Sequence, residues 1–391
     1  MKEKVRFIFV DLLRGWALLV MIEVHVFNVM LLPSLKNTDW FNILNYINGL
    51  VAPSFLFISG FAFMLSTQNK IDELRKFNKS FWKKLNRIFL ILIAGYSLHV
   101  PILSFRRFIN FYSHGTIVNA FNVDILQCIA FGLLLLLAAR IIFKSDKVFN
   151  SFITISFVLV SILAPVIWKI DFGRFLPIPL AAYFNPQYGS LFPIFPWLGF
   201  LLAGAMTCRF FLEARDNNTD KNFFNFLLFS GFAFALIGHI LLSNITPVSF
   251  HAVHPHPLFF VQRLGYVFIL LALCWYYENP HFHLFGYKKI DTHEKNFKSS
   301  FVIDVGKESL LVYWLHLQII YRRFWAGKSI VDLFGEKYNV IGCIIGTVLL
   351  AILMIIVAKL WGRFKRKYPV AASRITFGVV SAGVIIFFLG F

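Results

Sequence analysis

The apolar stretch at residues 6–32 limits most strongly what this chain can fold into. It is long enough to cross a bilayer as one helix, which needs ~20 residues. Four ionisable residues interrupt it: Asp11, Arg14, Glu23 and His25. Because a charge at membrane depth costs about 2.5–3.5 kcal/mol on insertion scales, such residues usually face a protein-lined cavity and mark function.

The spacing of these residues places three of them on one face of the helix. Arg14 and His25 lie only roughly 20° apart in azimuth and ~16 Å apart in height. Asp11 precedes Arg14 by one turn on the same side, and Glu23 falls roughly opposite. Two simpler explanations stay open: Asp11 and Arg14 as a snorkelling pair that anchors the helix end, and His25 as an interhelical hydrogen bonder.

The composition indicates a polytopic membrane protein. Hydrophobic residues form 58% of the chain and charged residues 15%, with a mean hydropathy of +0.71. We therefore predict an all-α integral membrane protein whose residues 1–391 form one transmembrane domain. The sequence predicts about eleven spans, near residues 6–32, 43–66, 85–105, 120–143, 149–168, 191–211, 222–243, 257–277, 304–325, 338–360 and 371–390.

Lysine and arginine concentrate at the N-terminus and in every second connection. The positive-inside rule therefore predicts a cytoplasmic N-terminus and, with an odd number of spans, an extracytoplasmic C-terminus in a multi-pass cell (inner) membrane protein. The same bias and anionic headgroups explain most of the net charge of +19, so nucleic acid is not an expected partner. A polyanionic ligand approaching from the cytoplasm is also favoured.

The second span combines a helix breaker with small residues. Pro53 predicts a kink, and Ser59 with Gly60 allows close approach to a neighbouring helix. A kinked helix next to the first would leave a cavity beside His25. Structural packing explains the small residues equally well.

Several further segments carry polar residues. The basic segment at residues 70–84, ending against Arg87, indicates interfacial anchoring or the binding of donor phosphates. The prolines of residues 165–197 predict an irregular outer segment that re-enters the membrane or merely connects two spans. Three histidines in residues 251–256 lack a carboxylate or cysteine, so no metal is expected.

Two later spans contain polar groups at depth. Arg263 lies about a turn and a half into the eighth span, where it would pair with a carboxylate such as Glu23 or hold an anionic acceptor. His316 lies roughly 18 Å from the cytoplasmic end of the ninth span, at a depth similar to that of His25, with Tyr313 one turn below. A structural hydrogen bond between helices is the plain alternative for His316.

The opening Asp11-Leu-Leu-Arg14-Gly15, followed by His25, resembles that of membrane acyltransferases that modify sugars. These include the bacterial acyltransferase-3 glycan O-acylases and the heparan-α-glucosaminide N-acetyltransferase group. The runs at residues 52–60, 196–199 and 310–316 resemble bacterial relatives of the latter group, whose usual architecture has eleven spans.

This resemblance implies an enzyme of the cell envelope. Acetyl-CoA would enter from the cytoplasm as the acyl donor, and the acetyl group would pass to a hydroxyl or amine of a glycan or glycolipid on the far side. The resemblance implies Arg14 at the donor end, oriented by Asp11, and His25 as the catalytic base or acyl acceptor. We further expect Arg87 and Ser59 to bind the donor. On the acceptor side, depth alone indicates four residues: Asn48, Arg263, His316 and Tyr313.

One departure leaves the type of transfer open. Heparan-type enzymes have Asn at the position of His25 and a histidine in the following loop, whereas residues 33–42 contain none. His25 matches the O-acyltransferase pattern, so O- and N-acetylation both remain, as do direct transfer and an acyl-enzyme. A transporter or exporter of a small anionic or sugar-derived substrate is the alternative function, a non-catalytic scaffold is a third interpretation, and a homodimer is left open.

Overall fold

The structure is a computed structural model in which residues 6–68, 70–99, 120–245, 255–279, 282–283, 286–287, 300–324 and 326–389 are described. The predicted all-α class is confirmed: these residues are mainly helical. In the first part of the chain the helices are α1 (Ile8–Met30), α2 (Pro33–Lys36), α3 (Asp39–Asn48), α4 (Val51–Thr67), α5 (Ile71–Arg75) and α6 (Lys79–His99).

The middle of the chain contains long helices separated by an irregular segment. The helices are α7 (Ile125–Ile142), α8 (Asp146–Ile162), α9 (Ala164–Ile167), α10 (Ile178–Ala181), α11 (Ile194–Asp216), α12 (Asp220–Ile245) and α13 (Pro257–Glu278). Two 3-10 turns, Phe172–Arg174 and Pro186–Tyr188, flank α10. Only short helices and turns therefore form between α8 and α11, which confirms that this segment is irregular as the prolines predicted. Its predicted place on the outer side stays a prediction.

The last part of the chain begins with a two-residue antiparallel strand pair and continues as helices. The strands are β1 (Phe282–His283) and β2 (Gly286–Tyr287), with Phe282 opposite Tyr287. The helices are α14 (Phe301–Lys307), α15 (Ser309–Tyr321), α16 (Ile330–Phe334), α17 (Val340–Lys367) and α18 (Pro369–Leu389).

Among the described residues, 7 helical stretches are long and apolar enough to cross a membrane. They are Asp39–Thr67, Ile125–Ile142, Ile194–Asp216, Asp220–Ser243, Pro257–Glu278, Val340–Lys367 and Pro369–Leu389. The predicted spans at residues 6–32, 85–105, 149–168 and 304–325 are not among them. The last of these is broken at Glu308 and leaves α15 only 13 residues long. The number eleven therefore stays a prediction.

The break in the second predicted span lies before Pro53 rather than at it. α3 ends at Asn48, and α4 begins at Val51, so Pro53 occupies the first turn of α4. A proline is tolerated in a first turn because its missing N–H would have had no intrahelical partner there. The predicted kink is thus a full interruption at Gly49 and Leu50.

The chain divides into two compact units, and the prediction of a single domain stays a prediction. Unit 1 comprises residues 1–58, 207–254 and 258–362, and unit 2 comprises residues 59–206, 255–257 and 363–391. In unit 2, a Cβ added to Gly60 would lie 1.9 Å from the carbonyl oxygen of Leu201. The predicted close approach of a helix to Gly60 is therefore confirmed.

In unit 1, α1 lies directly against α14. A Cβ added to Gly15 would lie 2.0 Å from the carbonyl oxygen of Val302, and one added to Gly306 would lie 2.0 Å from that of Asp11. Each glycine thus admits the backbone of the other helix. Small residues at a helix crossing allow this approach in membranes, where packing replaces the hydrophobic effect between helices.

The N-terminal end of α1 is capped by a distant carboxylate. The two oxygens of Glu278, the last residue of α13, accept hydrogen bonds from the backbone N–H groups of Ile8 at 3.1 Å and Phe9 at 2.7 Å. These donors have no partner within the helix, and a negative charge favours a helix N-terminus. Below this cap the ring of Phe9 packs against Phe211 and Phe224. The position of α1 in unit 1 is therefore fixed at its end as well as at Gly15.

We predict that Gly306→Ala lowers the apparent melting temperature of the detergent-purified protein, because the added methyl group overlaps a backbone carbonyl. Overpacking of this kind costs about 1–3 kcal/mol. Gly378→Ala is the matched control, since a Cβ at Gly378 meets nothing within 4 Å. An equal melting temperature for both variants would contradict the close crossing.

Candidate active site

Two histidines and a tyrosine of unit 1 come together between α1 and α15. The ring centroids of His25 and His316 are 5.5 Å apart. The hydroxyl oxygen of Tyr321 lies 3.0 Å from Nδ1 of His25, and the two rings meet edge to face. The sequence predicted a similar depth for His25 and His316, and in the structure their two rings lie close together. This proximity alone does not test their roles.

The protonation pattern of His316 follows from its backbone contact. Its Nδ1 lies 2.7 Å from the carbonyl oxygen of Val312, one turn earlier in α15. A carbonyl oxygen only accepts hydrogen bonds, so Nδ1 carries the proton and Nε2 keeps a lone pair when the ring is neutral. Nε2 is buried and has no hydrogen-bond partner among the described residues. His316 therefore presents an unused acceptor inside the protein.

Tyr313 supports this arrangement from below. Its ring lies 5.8 Å from that of His316 and 6.3 Å from that of Phe55 in α4, in both cases edge to face. Tyr313 is buried. Its position one turn before His316 agrees with the predicted shared face, and it connects α15 to α4.

Among the described residues Asp11 pairs with Arg6, and the expectation that Asp11 orients Arg14 stays a prediction. Its buried carboxylate accepts hydrogen bonds from Nε of Arg6 at 2.6 Å and from Nη2 of Arg6 at 3.2 Å. Arg6 precedes the helix, where Phe7 is extended, so its long side chain folds back along the first turn. Asp11 is therefore paired at the N-terminal end of α1, and sequence spacing within the helix did not show this partner.

Arg14 points toward the second predicted span. Its Nη2 lies 3.4 Å from the carbonyl oxygen of Ile58 in α4. Ser59 follows Ile58 in the chain but belongs to unit 2, as does the exposed Arg87. The donor-binding roles of Arg14, Ser59 and Arg87 stay predictions.

Two further polar groups surround the C-terminal end of α3. The side chain of Asn48 lies near the carboxylate of Glu23, whose Oε1 is buried and has no partner among the described residues. Nη1 of Arg263 donates to the carbonyl oxygen of Tyr46 at 2.6 Å. Within the described part of the chain, Arg263 forms no ion pair with Glu23 or with another carboxylate. The pairing of Arg263 with a carboxylate such as Glu23, which the sequence left open, is therefore not formed among the described residues.

Reasoning from the sequence missed Tyr321, Tyr46 and Arg6. Tyr321 is the last residue of α15, five positions after His316, and so does not share its face in an ideal helix. The sequence signal that could have identified Tyr321 is a tyrosine at about the same membrane depth as His25. Tyr46 contributes a backbone carbonyl, which leaves no trace in the sequence.

The described residues contain no group of three or more His, Cys, Asp or Glu side chains that could hold a metal ion. Of the three histidines in residues 251–256, His251 and His254 lie outside the described residues.

Comparison with known proteins gives the family. No curated protein matches the chain. A family model described as heparan-alpha-glucosaminide N-acetyltransferase, catalytic, matches residues 6–245, which is more than half of the chain. The match includes His25 and the runs at residues 52–60 and 196–199, whereas Arg263, His316 and Tyr321 lie beyond it. The chain belongs to the heparan-alpha-glucosaminide N-acetyltransferase catalytic family.

Proposed function

We propose that the protein transfers an acetyl group from cytoplasmic acetyl-CoA to an amine or hydroxyl of a sugar in an extracytoplasmic glycan or glycolipid. Membership of the family supports an acetyltransferase, and the 7 apolar helices support a multi-pass membrane location. The observation that carries the proposal is the cluster of His25, His316 and Tyr321. It supplies nitrogen bases at a depth where ionisable groups are otherwise costly.

The reaction needs one proton acceptor. The acceptor nitrogen or oxygen attacks the thioester carbonyl carbon, the new C–N or C–O bond forms, and the C–S bond breaks to release the CoA thiolate. His25 takes the proton that the acceptor loses and returns it to the thiolate. An imidazole suits this role because its unperturbed pKa of about 6.5 lies near neutral pH.

The neighbours of His25 have separate roles in this proposal. Tyr321 fixes the ring through the contact to Nδ1, so that Nε2 faces the reacting atoms. His316 offers its lone pair at Nε2 to the N–H or O–H group of the acceptor and thereby positions the nucleophile. Tyr313 holds the ring of His316 in place.

The donor end lies toward the start of α1. Arg14 is separated from His25 by ~16 Å along the helix, a distance that an extended pantetheine arm can span. A guanidinium suits phosphate or carbonyl contacts because it presents a rigid fork of donors. We assign to Asp11 the role of holding Arg6 and the N-terminal turn rather than a chemical role.

No described contact favours the transporter alternative. Buried ionisable groups are expected in both classes, but the pairing of two imidazoles with a tyrosine hydroxyl serves proton transfer to a reacting group directly. The family match likewise supports an acetyltransferase.

We predict that His25→Ala lowers kcat for acetyl transfer at least 100-fold, in the range that general bases contribute. His316→Ala should act mainly through a raised KM for the acceptor, because it loses a positioning contact. Both kinetic constants, kcat and KM, are measured with radiolabelled acetyl-CoA. The variants used are those that elute in gel filtration as the wild type does. Unchanged transfer by His25→Ala, or loss of transfer only in His316→Ala, would contradict these roles.

We predict that Tyr321→Phe lowers kcat about five-fold, since one hydrogen bond contributes about 1 kcal/mol. The pH profile of kcat should also shift, because Tyr321 contacts the titrating ring directly. Tyr368→Phe, at a tyrosine of unit 2, is the matched control and should leave both quantities unchanged. Equal behaviour of the two variants would contradict a positioning role for Tyr321.

A further inference from the structure

Arg263 is a buried cation held by main-chain and aromatic contacts. Its side chain lies in α13, and the residue is 4% exposed. Its Nη1 donates to the carbonyl oxygen of Tyr46 at 2.6 Å, and its guanidinium carbon lies 4.2 Å from the centroid of the Tyr46 ring and 5.2 Å from that of Phe259. The guanidinium is thus fixed in position with an aromatic ring against its face.

These contacts leave most of its donors unused. A guanidinium carries five N–H groups, and only Nη1 donates to an acceptor among the described residues. Nε is buried and has no hydrogen-bond partner among the residues that the structure describes. The edge formed by Nε and Nη2 is the one that grips a carboxylate, phosphate or sulfate with two parallel hydrogen bonds. That edge has no protein partner in the described part of the chain.

The contact with α3 explains the position of Arg263 but does not compensate its positive charge. The carbonyl of Tyr46 lies near the C-terminal end of α3, where the helix dipole is equivalent to only about half a negative charge. A buried arginine without a carboxylate is costly, and Arg140 offers a comparison. Arg140 is similarly buried, but its Nη1 lies 2.6 Å from Oδ1 of Asp146. Arg263 has no such counter-ion in the part of the chain that the structure describes, so its charge calls for a negative partner from elsewhere.

The chain leaves an approach to this cation at Gly49. Gly49 is exposed, and a Cβ added there would lie 3.2 Å from Nη1 and 3.3 Å from Nη2 of Arg263. Any side chain at this position would cover the guanidinium. With glycine at this position, no Cβ lies against the Nη groups.

We propose that Arg263 binds an oxyanion, a carboxylate, phosphate or sulfate, carried by the acceptor. Acceptors of this protein are therefore acidic sugars or phosphate-bearing glycolipid headgroups rather than neutral ones. This inference rests on the proposed function for the identity of the ligand, while the anion site itself does not depend on acetyl transfer. Arg263 lies about a turn and a half into α13. We predict that this end of the helix is extracytoplasmic, which is the side from which an acceptor arrives.

The test measures anion binding without catalysis. Thermal unfolding of the detergent-purified full chain is followed with glucuronate, glucosamine 6-phosphate or uncharged glucose at equal ionic strength. The wild type should be stabilised by one or both anions and not by glucose, and the larger response distinguishes a carboxylate from a phosphate ligand. Arg263→Gln should lose the response, and Arg263→Lys should weaken binding about ten-fold because a lysine lacks the two-donor edge.

Three further variants separate the anion site from folding and from the proposed function. Gly49→Ala keeps the cation but places a methyl group against its Nη atoms, so it should weaken anion binding in a folded protein. Arg140→Gln removes a buried arginine that already has a carboxylate, and its response should equal that of the wild type. His25→Ala should keep the response even though we expect it to lose acetyl transfer. An equal response of the wild type and Arg263→Gln, or no response of the folded wild type to either anion, would overturn the proposal.

Discussion

The backbone contact between α1 and α14 at Gly15 and Gly306 is the constraint on which the candidate site depends. Each glycine lies where any Cβ would overlap a carbonyl oxygen of the other helix, at 2.0 Å in both cases. α15 follows α14 after a single break at Glu308, so the crossing that fixes α14 also limits where α15 can lie. His316 and Tyr321 of α15 reach His25 of α1 from that position.

The ionisable residues of unit 1 differ in how their charges are compensated. Asp11 is paired with Arg6 at the start of α1, and Glu278 caps the same helix end. These groups serve the fold. His316 and Arg263, in contrast, keep buried nitrogen atoms without a partner among the described residues. A buried polar atom without a partner is costly, and we propose that a substrate completes the hydrogen bonds of these two residues.

The sequence predicted those parts of the fold and site that depend on local patterns. Apolar length predicted the 7 membrane-crossing stretches found among the described residues, although it also predicted four more. Proline density predicted the irregular segment between α8 and α11, and a small residue predicted the close contact at Gly60. Each of these features is determined by residues that are neighbours in the chain.

The remaining features depend on contacts between distant segments, and the sequence did not show them. The partner of Asp11 is Arg6 because the chain folds back before α1, and the partner of Arg263 is a main-chain carbonyl. The break between α3 and α4 lies at Gly49 rather than at Pro53, since a proline is satisfied in a first turn. Tyr321 joins His25 only because α15 ends beside α1.

The most direct test of the account is the binding of acetyl-CoA to the detergent-purified protein by calorimetry, with the wild type beside Arg14→Gln. The account predicts micromolar binding by the wild type that is weakened at least ten-fold in the variant, while His25→Ala binds as the wild type does. Absence of binding at millimolar acetyl-CoA by folded wild-type protein would contradict an acetyl-CoA-dependent transfer from the cytoplasm.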